Sequence, residues 1–478
     1  MSRAKNAERA AGPRRFKPYP EYKDSGVEWL GEIPAHWEAV PIRSLARPGF
    51  KTFADGDWIE SPFIREEGVR LIQTGNVGVG EYREQGFRYV DEETFRAFRC
   101  TEVLPGDVLI CRLADPVGRT CLAPDLGCRM ITSVDVCILK TSPTVDAGYV
   151  VFALSGSSYL SWMSGICRGG TRDRVSRSML GSIRVQKPPY EEQRAIAAFL
   201  DRETAKIDGL VAKKERLIKL LQEKRTALIT RAVTKGLPAP AAAQAGLDPN
   251  VPMKDSGIEW LGEIPAHWEV VSLKRCVLPR PGAIKTGPFG SQLLASEMRG
   301  GDVKVYNQRN VIDKNFVAGE NFVSREKLKE LSAFAVSKGD VLVTTRGTIG
   351  RCAIVPEGAE EGILHPCLMR VQPDPDQLFR DYLAVLIQDS ILVQTQLALA
   401  SNATTIDVIY SDTMSRVLIP RPPLDEQASI VRWVSQRTNE IDRLTGMVAD
   451  AIERLKELRT ALISAAVTGK IDVRGEAA

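Results

Sequence analysis

Residues Lys23–Glu38 read KDSGVEWLGEIPAHWE and residues Lys254–Glu269 read KDSGIEWLGEIPAHWE, differing only at Val27 and Ile258. Asp24 thus recurs as Asp255, an offset of 231. Further along, PPYEEQ (Pro188 to Gln193) recurs as PPLDEQ (Pro422 to Gln427), and RTALI starting at Arg225 recurs at Arg459, both at an offset of 234. The chain is therefore two tandem copies of one module, and self-similarity of this kind constrains the architecture before any local reading does. Between the repeated borders the copies diverge. Residues 39–187 and 270–421 share only traces, such as GDVL at Gly106 and at Gly339, and Asn76-Val77 beside Asn310-Val311. Both interiors are short β-branched runs broken by Gly, Pro and Asp, interspersed with helical stretches, which predicts mixed α/β domains. Constant frames around two different interiors predict one scaffold presenting two different recognition surfaces.

The frames read as helices. From Glu191, apolar residues fall at Ile196, Leu200, Ile207, Leu210, Val211, Leu217, Ile218, Leu221 and Leu228. From Asp425 they fall at Ile430, Val434, Ile441, Leu444, Val448, Ile452, Leu455, Leu458 and Leu462. Steps of three, four and seven mark an amphipathic helix with a coiled-coil stripe, interrupted at Lys214. Roughly 40 residues at about 1.5 Å each give about 60 Å, more than one domain needs for packing. Two such helices can pair with each other and hold two globular domains apart; packing on their own domain is the alternative. The expected layout is a mobile arm over 1–18, a first recognition domain over 19–189 and a spacer helix over 190–236. An exposed linker over 237–253 follows, then a second recognition domain over 254–423, a second spacer helix over 424–471 and a tail over 472–478.

Composition removes several function classes. The chain has 478 residues, 44% hydrophobic and 26% charged, ordinary values for domains that bury a core without metals or disulfides. A net charge of +4 allows nucleic-acid binding only through local basic faces. The nine cysteines contain no C-x-x-C pair and read as small buried hydrophobes in a reducing cytosol. No apolar run approaches the ~20 residues of a membrane span, and the basic start has no apolar run behind it, so a cytoplasmic protein is expected. Three histidines, His36, His267 and His365, make no metal site.

The opening motif SG-x-EWLGEIPAHWE, the PP-x-x-EQ helix start and the R-x-ALI-x-x-AVT-G helix end resemble those of DNA-specificity subunits of type I restriction–modification enzymes. So do TGPFGS (Thr286 to Ser291) and GDVLVTTRGTIG (Gly339 to Gly350). The resemblance spans essentially the whole chain, twice in the same order. It implies two target-recognition domains, each followed by a long helix, with the helices paired as an antiparallel coiled coil. It also implies a non-catalytic subunit that reads a bipartite, asymmetric double-stranded DNA site. Its partners would be two modification (methyltransferase) subunits and restriction subunits. S-adenosylmethionine, ATP and Mg²⁺ would belong to those partners and not to this chain, and the location would be cytoplasmic, with the nucleoid.

Several residues are candidates for DNA contact. RGGTRDRVSR (Arg168 to Arg177) is the densest basic stretch of the first interior, and Arg168, Thr171, Arg172 and Arg174 suit phosphates or guanine; a solvated loop is the alternative. Its counterpart ASNATTID offers only hydroxyls and amides, Thr404 and Thr405 among them. The resemblance points to Thr345, Arg346 and Thr348, with Arg346 on phosphate or base. Arg112, in CRLADPVG, is the weaker carry-over. Asn76, Gln308 and Asn310 follow β runs and suit either adenine or a turn, while Thr286 and Ser291 flank glycines that allow close backbone approach. Trp29, Trp37, Trp260 and Trp268 recur in both copies and read as scaffold or partner docking, as do Leu217, Leu221, Leu228, Leu455 and Leu462.

Readings from other classes are a DNA methyltransferase or nuclease with its own site, and a purely structural coiled-coil adaptor. KPPY at Lys187 has Lys where an adenine methyltransferase loop has Asn, and it recurs as RPPL, so it reads as a helix lead-in. No glycine-rich cofactor loop and no nucleotide-binding G-x-x-x-x-G-K-[ST] is present.

Overall fold

The computed structural model describes residues 16–167, 173–401 and 408–476. The chain forms two compact units, one of Met1–Lys214 with Asp450–Ala478 and the other of Glu215–Ala449. Each unit thus contains one recognition domain, part of its own long helix, and part of the long helix of the other repeat.

In the first unit, four short strands form an antiparallel sheet in the order Phe53–Asp55, Val136–Leu139, Val108–Cys111, Thr120–Leu122. The two central strands, VCIL and VLIC, are buried on both faces, as continuous apolar runs require. Beside them, Tyr89–Val90, Val69–Ile72 and Met130–Thr132 form a second sheet with one parallel pair. The second unit repeats this plan: Ile284–Thr286, Leu368–Val371, Val341–Thr344, Cys352–Ile354, with Phe322–Val323, Val303–Tyr306, Gly362–Leu364 and Ala335–Val336 beside them. The interiors therefore diverge in residues while sharing one topology. The GDVL trace has a local cause. Gly106 and Gly339 hold φ of 86° and 81°, which glycine adopts freely, and the next Asp carboxylate accepts the amide three residues back (Leu104 and Ser337, both 2.8 Å). Both turns launch a buried central strand.

The first long helix spans Tyr190–Lys235 and the second Leu424–Val467. Ile207, Val211, Lys214, Ile218, Leu221, Arg225 and Leu228 follow one another at alternating steps of four and three and are buried or half-buried. Ile441, Thr445, Val448, Ile452, Leu455, Arg459 and Leu462 do the same. That is a heptad seam. Leu210, Leu217, Leu444 and Leu458 precede seam positions by one residue, a rotation of about 100°, and are exposed, which removes Leu217 from the packed stripe. Within the first unit the two helices run antiparallel: Leu200 and Val467 share one apolar cluster, and farther along Arg459 Nε pairs with Asp208 at 3.0 Å. Within the second, the repeated Arg225 pairs with Asp442 at 3.3 Å and Asp389 at 2.9 Å, while Val233 and Val434 share a cluster.

The repeated motifs meet where helices begin and end. Trp37 and Trp268 are fully buried, and each indole N–H donates to a helix glutamate, Glu192 or Glu426, at 3.0 Å. His36 and His267 reach the same carboxylates at 2.8 and 2.7 Å. The following glutamine ties the helix to its domain: Gln193 accepts the Asp146 amide and Gln427 the Phe379 amide, and each donates to the first proline carbonyl of its PP pair. Trp37 also packs with Ile463, Ala466 and Val467 of the second helix, and Trp268 with Ile229, Ala232 and Val233 of the first.

Three local expectations change. Phe16 packs edge-on against Phe199 at 5.3 Å and Tyr19 is buried, so the arm is anchored from residue 16 onward. The expected exposed linker contains a helix, Ala239–Gln244, started by Pro238 and Pro240, with Ala242 buried. Of the cysteines, Cys128 is exposed; Cys111, Cys121, Cys137, Cys276 and Cys352 are buried. Among the described residues no single helix is long and apolar enough to cross a membrane.

Candidate nucleic-acid interface

In the second unit the candidate surface is built on one end of the first sheet. Ile284–Thr286 runs out into Gly287, whose amide donates to Leu368 O at 2.8 Å. A Cβ on Gly287 would sit 2.2 Å from the His365 carbonyl oxygen, so only glycine lets the strand pass over the 365–367 turn. Two residues on, Phe289 emerges, 38% exposed, with its amide donating to the Gln292 side chain at 3.1 Å. The Arg346 guanidinium lies over the Phe289 ring, 5.4 Å from its centroid, and Tyr410, 48% exposed, stands 6.4 Å from the same ring. Gln308 donates its side-chain amide to Arg346 O, fixing the backbone beneath. Arg346 has no ion pair with a described residue. The nearby His365 is half-buried, and desolvation and the Arg346 charge both hold its imidazole below the usual range, while partial burial raises the Cys367 thiol, 2.7 Å from the imidazole. Both shifts favour the neutral forms of these neighbours, and Arg346 is an exposed positive charge of this surface. A guanidinium with no ion pair among the described residues, on a fixed backbone and flanked by exposed rings, suits a phosphate or a guanine edge.

The hydrogen-bond pattern aligns the first unit with it. Arg112 N donates to Asp135 O as Thr345 N does to Cys367 O, and Val175 N donates to Arg112 O as Ile409 N does to Thr345 O. The next residues form bridges, Leu113 with Arg174 and Arg346 with Val408. Arg112 therefore occupies the position of Thr345, one residue short of Arg346. It is 4% exposed, with Nε 3.0 Å from Asp55 and Nη1 and Nη2 donating to Val175 O and Val134 O. Its expected DNA contact is corrected: Arg112 is a cross-brace of the sheet end. Exposed cations here are Arg174, on the opposite strand of the bridge and paired to Asp135 at 2.7 Å, and Arg177, 3.9 Å from Asp55.

Other candidates move inward as well. Asn76 accepts the Gln73 amide and donates to Arg83 O and Gln85 O; Asn310 accepts the Asn307 amide and donates to Asn315 O and Ala318 O. Both are buried and hold turns, so neither is available to adenine. Thr286 and Thr345 are buried, their hydroxyls without a partner among the described residues, which takes them off the surface. Thr348 and Ser291 are exposed. Arg168, Thr171, Arg172, Thr404 and Thr405 lie outside the described residues. Trp29 stacks on Trp162 and meets Tyr159 edge-on, whereas Trp260 is 52% exposed. Leu221, Leu228, Leu455 and Leu462 lie in the helix seam. Phe289 and Tyr410 escaped the sequence reading. The signal for Phe289 was inside TGPFGS, between the hydroxyls chosen instead. Among the described residues no group of His, Cys, Asp or Glu is placed to hold a metal ion.

Comparison with known proteins is consistent along the chain. Residues 295–454 match the family described as type I restriction modification DNA specificity domain. The chain is 24% identical over 468 residues to the type I restriction enzyme EcoBI specificity subunit of Escherichia coli, covering 96% of this chain and 91% of that one. With the EcoKI specificity subunit of E. coli K12 the identity is 19% over 465 residues, covering 94% and 92%. Among solved structures, a chain from a study of complex assembly and conformational transition in a type I R-M system aligns with a TM-score of 0.65 at 16% identity, covering 92% of this chain and 99% of that one. The HsdS subunit from Thermoanaerobacter tengcongensis aligns at 0.51 and 17%, covering 92% and 98%.

Proposed function

We propose, for a chain that belongs to the type I restriction–modification DNA-specificity family, that its two recognition domains each read one half of a split, asymmetric double-stranded DNA site. The chain is the non-catalytic DNA-recognition component of such a system and works with its other subunits. In the reading proposed here it binds two modification subunits, which methylate adenine with S-adenosylmethionine, and recruits restriction subunits that use ATP and Mg²⁺, all in the cytoplasm on nucleoid DNA. The observation that carries the reading is the arginine at one place in the fold of both domains, supplied by opposite strands of the same bridge: Arg346 in the second and Arg174 in the first. Identical backbone geometry with exchanged side chains is what two readers of different half-sites require.

The test is a methylation map of DNA from cells expressing the chain with its modification partner. Arg346→Ala is expected to weaken one half-site and Arg174→Ala the other, each by about 1–3 kcal/mol if the guanidinium reads a base. Loss spread evenly over all sequences would reassign the arginine to phosphate, with a smaller salt slope. An unchanged map from both variants would sink the site.

A further inference from the structure

We propose that Trp58 is the aromatic base contact of the first recognition domain, the counterpart of Phe289 in the second; this rests on the DNA reading above. Trp58 is 71% exposed, and no ring or cation contacts it among the described residues. A tryptophan left bare forgoes roughly 2–3 kcal/mol of burial, so its place demands a reason.

The backbone that carries it is held tightly. Gly56 N donates to Val136 O at 3.0 Å and Asp57 N to Thr132 O at 2.8 Å, while the Asp57 carboxylate turns inward to accept the Thr101 amide at 2.8 Å. A Cβ on Gly56 would lie 2.3 Å from the Ser133 carbonyl oxygen, as one on Gly287 would meet His365. Each glycine follows the same outer strand of the same sheet and crosses the same turn, and each is followed two residues later by an exposed ring. On the far side of that turn stands the exposed arginine, Arg174 bonded to Asp135 in one domain and Arg346 in the other. The pair of ring and guanidinium is thus built twice around one turn. In the second domain the guanidinium lies over the ring; in the first the indole has no ring or cation over it among the described residues.

An aromatic face on a tightly held backbone, presented at the same turn as a cation, fits a nucleobase. The guanidinium takes the phosphate or a guanine edge, and the ring packs on a thymine methyl or slips against a base face. A protein surface would be served by an apolar patch, whereas Trp58 is followed by the exposed polar residues Glu60 and Ser61.

The experiment uses the chain assembled with its modification subunits and labelled duplexes carrying the mapped site. The reference is the half-site altered by Arg174→Ala. Trp58→Ala is expected to lower affinity for the intact site about ten- to hundredfold. The loss should vanish on duplexes with that half-site scrambled, and discrimination at the other half-site should be unchanged. Trp58→Phe should retain most of the affinity, and Phe289→Ala should mirror the effect on the other half-site. Wild-type binding and methylation by Trp58→Ala would overturn the proposal while leaving the DNA reading intact. Lost assembly with modification subunits, at unchanged sequence preference, would overturn it in favour of a protein contact. A wild-type complex without preference for either half-site would defeat the DNA reading itself, and this proposal with it.

Discussion

The two recognition domains share strand order and turn geometry, yet they place several of their basic residues differently. In the first, three arginines are turned inward. Arg70 is buried and donates to Gly86 O, Gln85 O and Arg88 O; Arg119 satisfies the carbonyls of Thr74, Val77, Leu113 and Pro116; Arg112 braces the sheet end. In the second, the position of Arg112 holds Thr345, and Arg351 and Arg346 are exposed, Arg346 without an ion pair to a described residue. Lys304, the equivalent of Arg70, remains buried beneath Val317 O. Residue type alone therefore does not carry a binding role from one domain to the other. Whether an arginine at this sheet end stands exposed or staples a loop is decided by a single step in register beside a bridge.

Breaking the inward set gives the largest expected contrast. Arg112→Ala removes a buried cation from Asp55 and leaves the carbonyls of Val134 and Val175 without it, at about 3–5 kcal/mol. Thr345→Val, at the same place in the second domain, should change stability by less than about 0.5 kcal/mol, because its hydroxyl has no partner among the described residues to lose. Thermal melts of the assembled complex measure both, and equal shifts would erase the distinction drawn here.

The tryptophans of the opening motif offer a second contrast. Trp29→Ala should cost about 2–3 kcal/mol by emptying the space against Trp162 and Tyr159, whereas Trp260→Ala should stay within about 1 kcal/mol. A costly Trp260→Ala only in the presence of partner subunits would show that the second copy uses that ring for docking. The smallest contrast lies at the helix starts. Glu192 accepts from Tyr19 as well as from His36 and Trp37, while Glu426 has only the histidine and the tryptophan among the described residues. Glu192→Ala strands one more buried donor and should cost about 1 kcal/mol more than Glu426→Ala. Equal costs would mean that the Tyr19 hydroxyl finds water.

Much of the scaffold was legible from residues because it obeys local or self-comparative rules. The doubled opening motif, the PP-x-x-EQ helix starts and the 4–3 stripe each correspond to a physical joint. The glutamate takes the Trp and His donors, the glutamine binds its domain, and the stripe forms the seam. The recognition surface was less legible. Arg112 looked like Arg346 because both follow a buried strand, and only the paired amides show that they differ by one residue. Asn76 and Asn310 looked available because a polar residue after a strand suits either a turn or a ligand. Their carbonyl partners, up to nine residues away, decide for the turn. Trp58 was passed over because a single aromatic in a divergent interior carries no periodic signal.

By itself, then, the sequence determined that this protein is one module written twice, with mixed α/β domains and long helices between constant borders. Repetition and heptad spacing survive in the order of residues, whatever surrounds them. Tertiary structure alone decided which side chains face outward at the sheet ends. There the outcome depends on which amide meets which carbonyl across the bridge, and on two glycines that let a strand cross a turn and bring a ring to the surface.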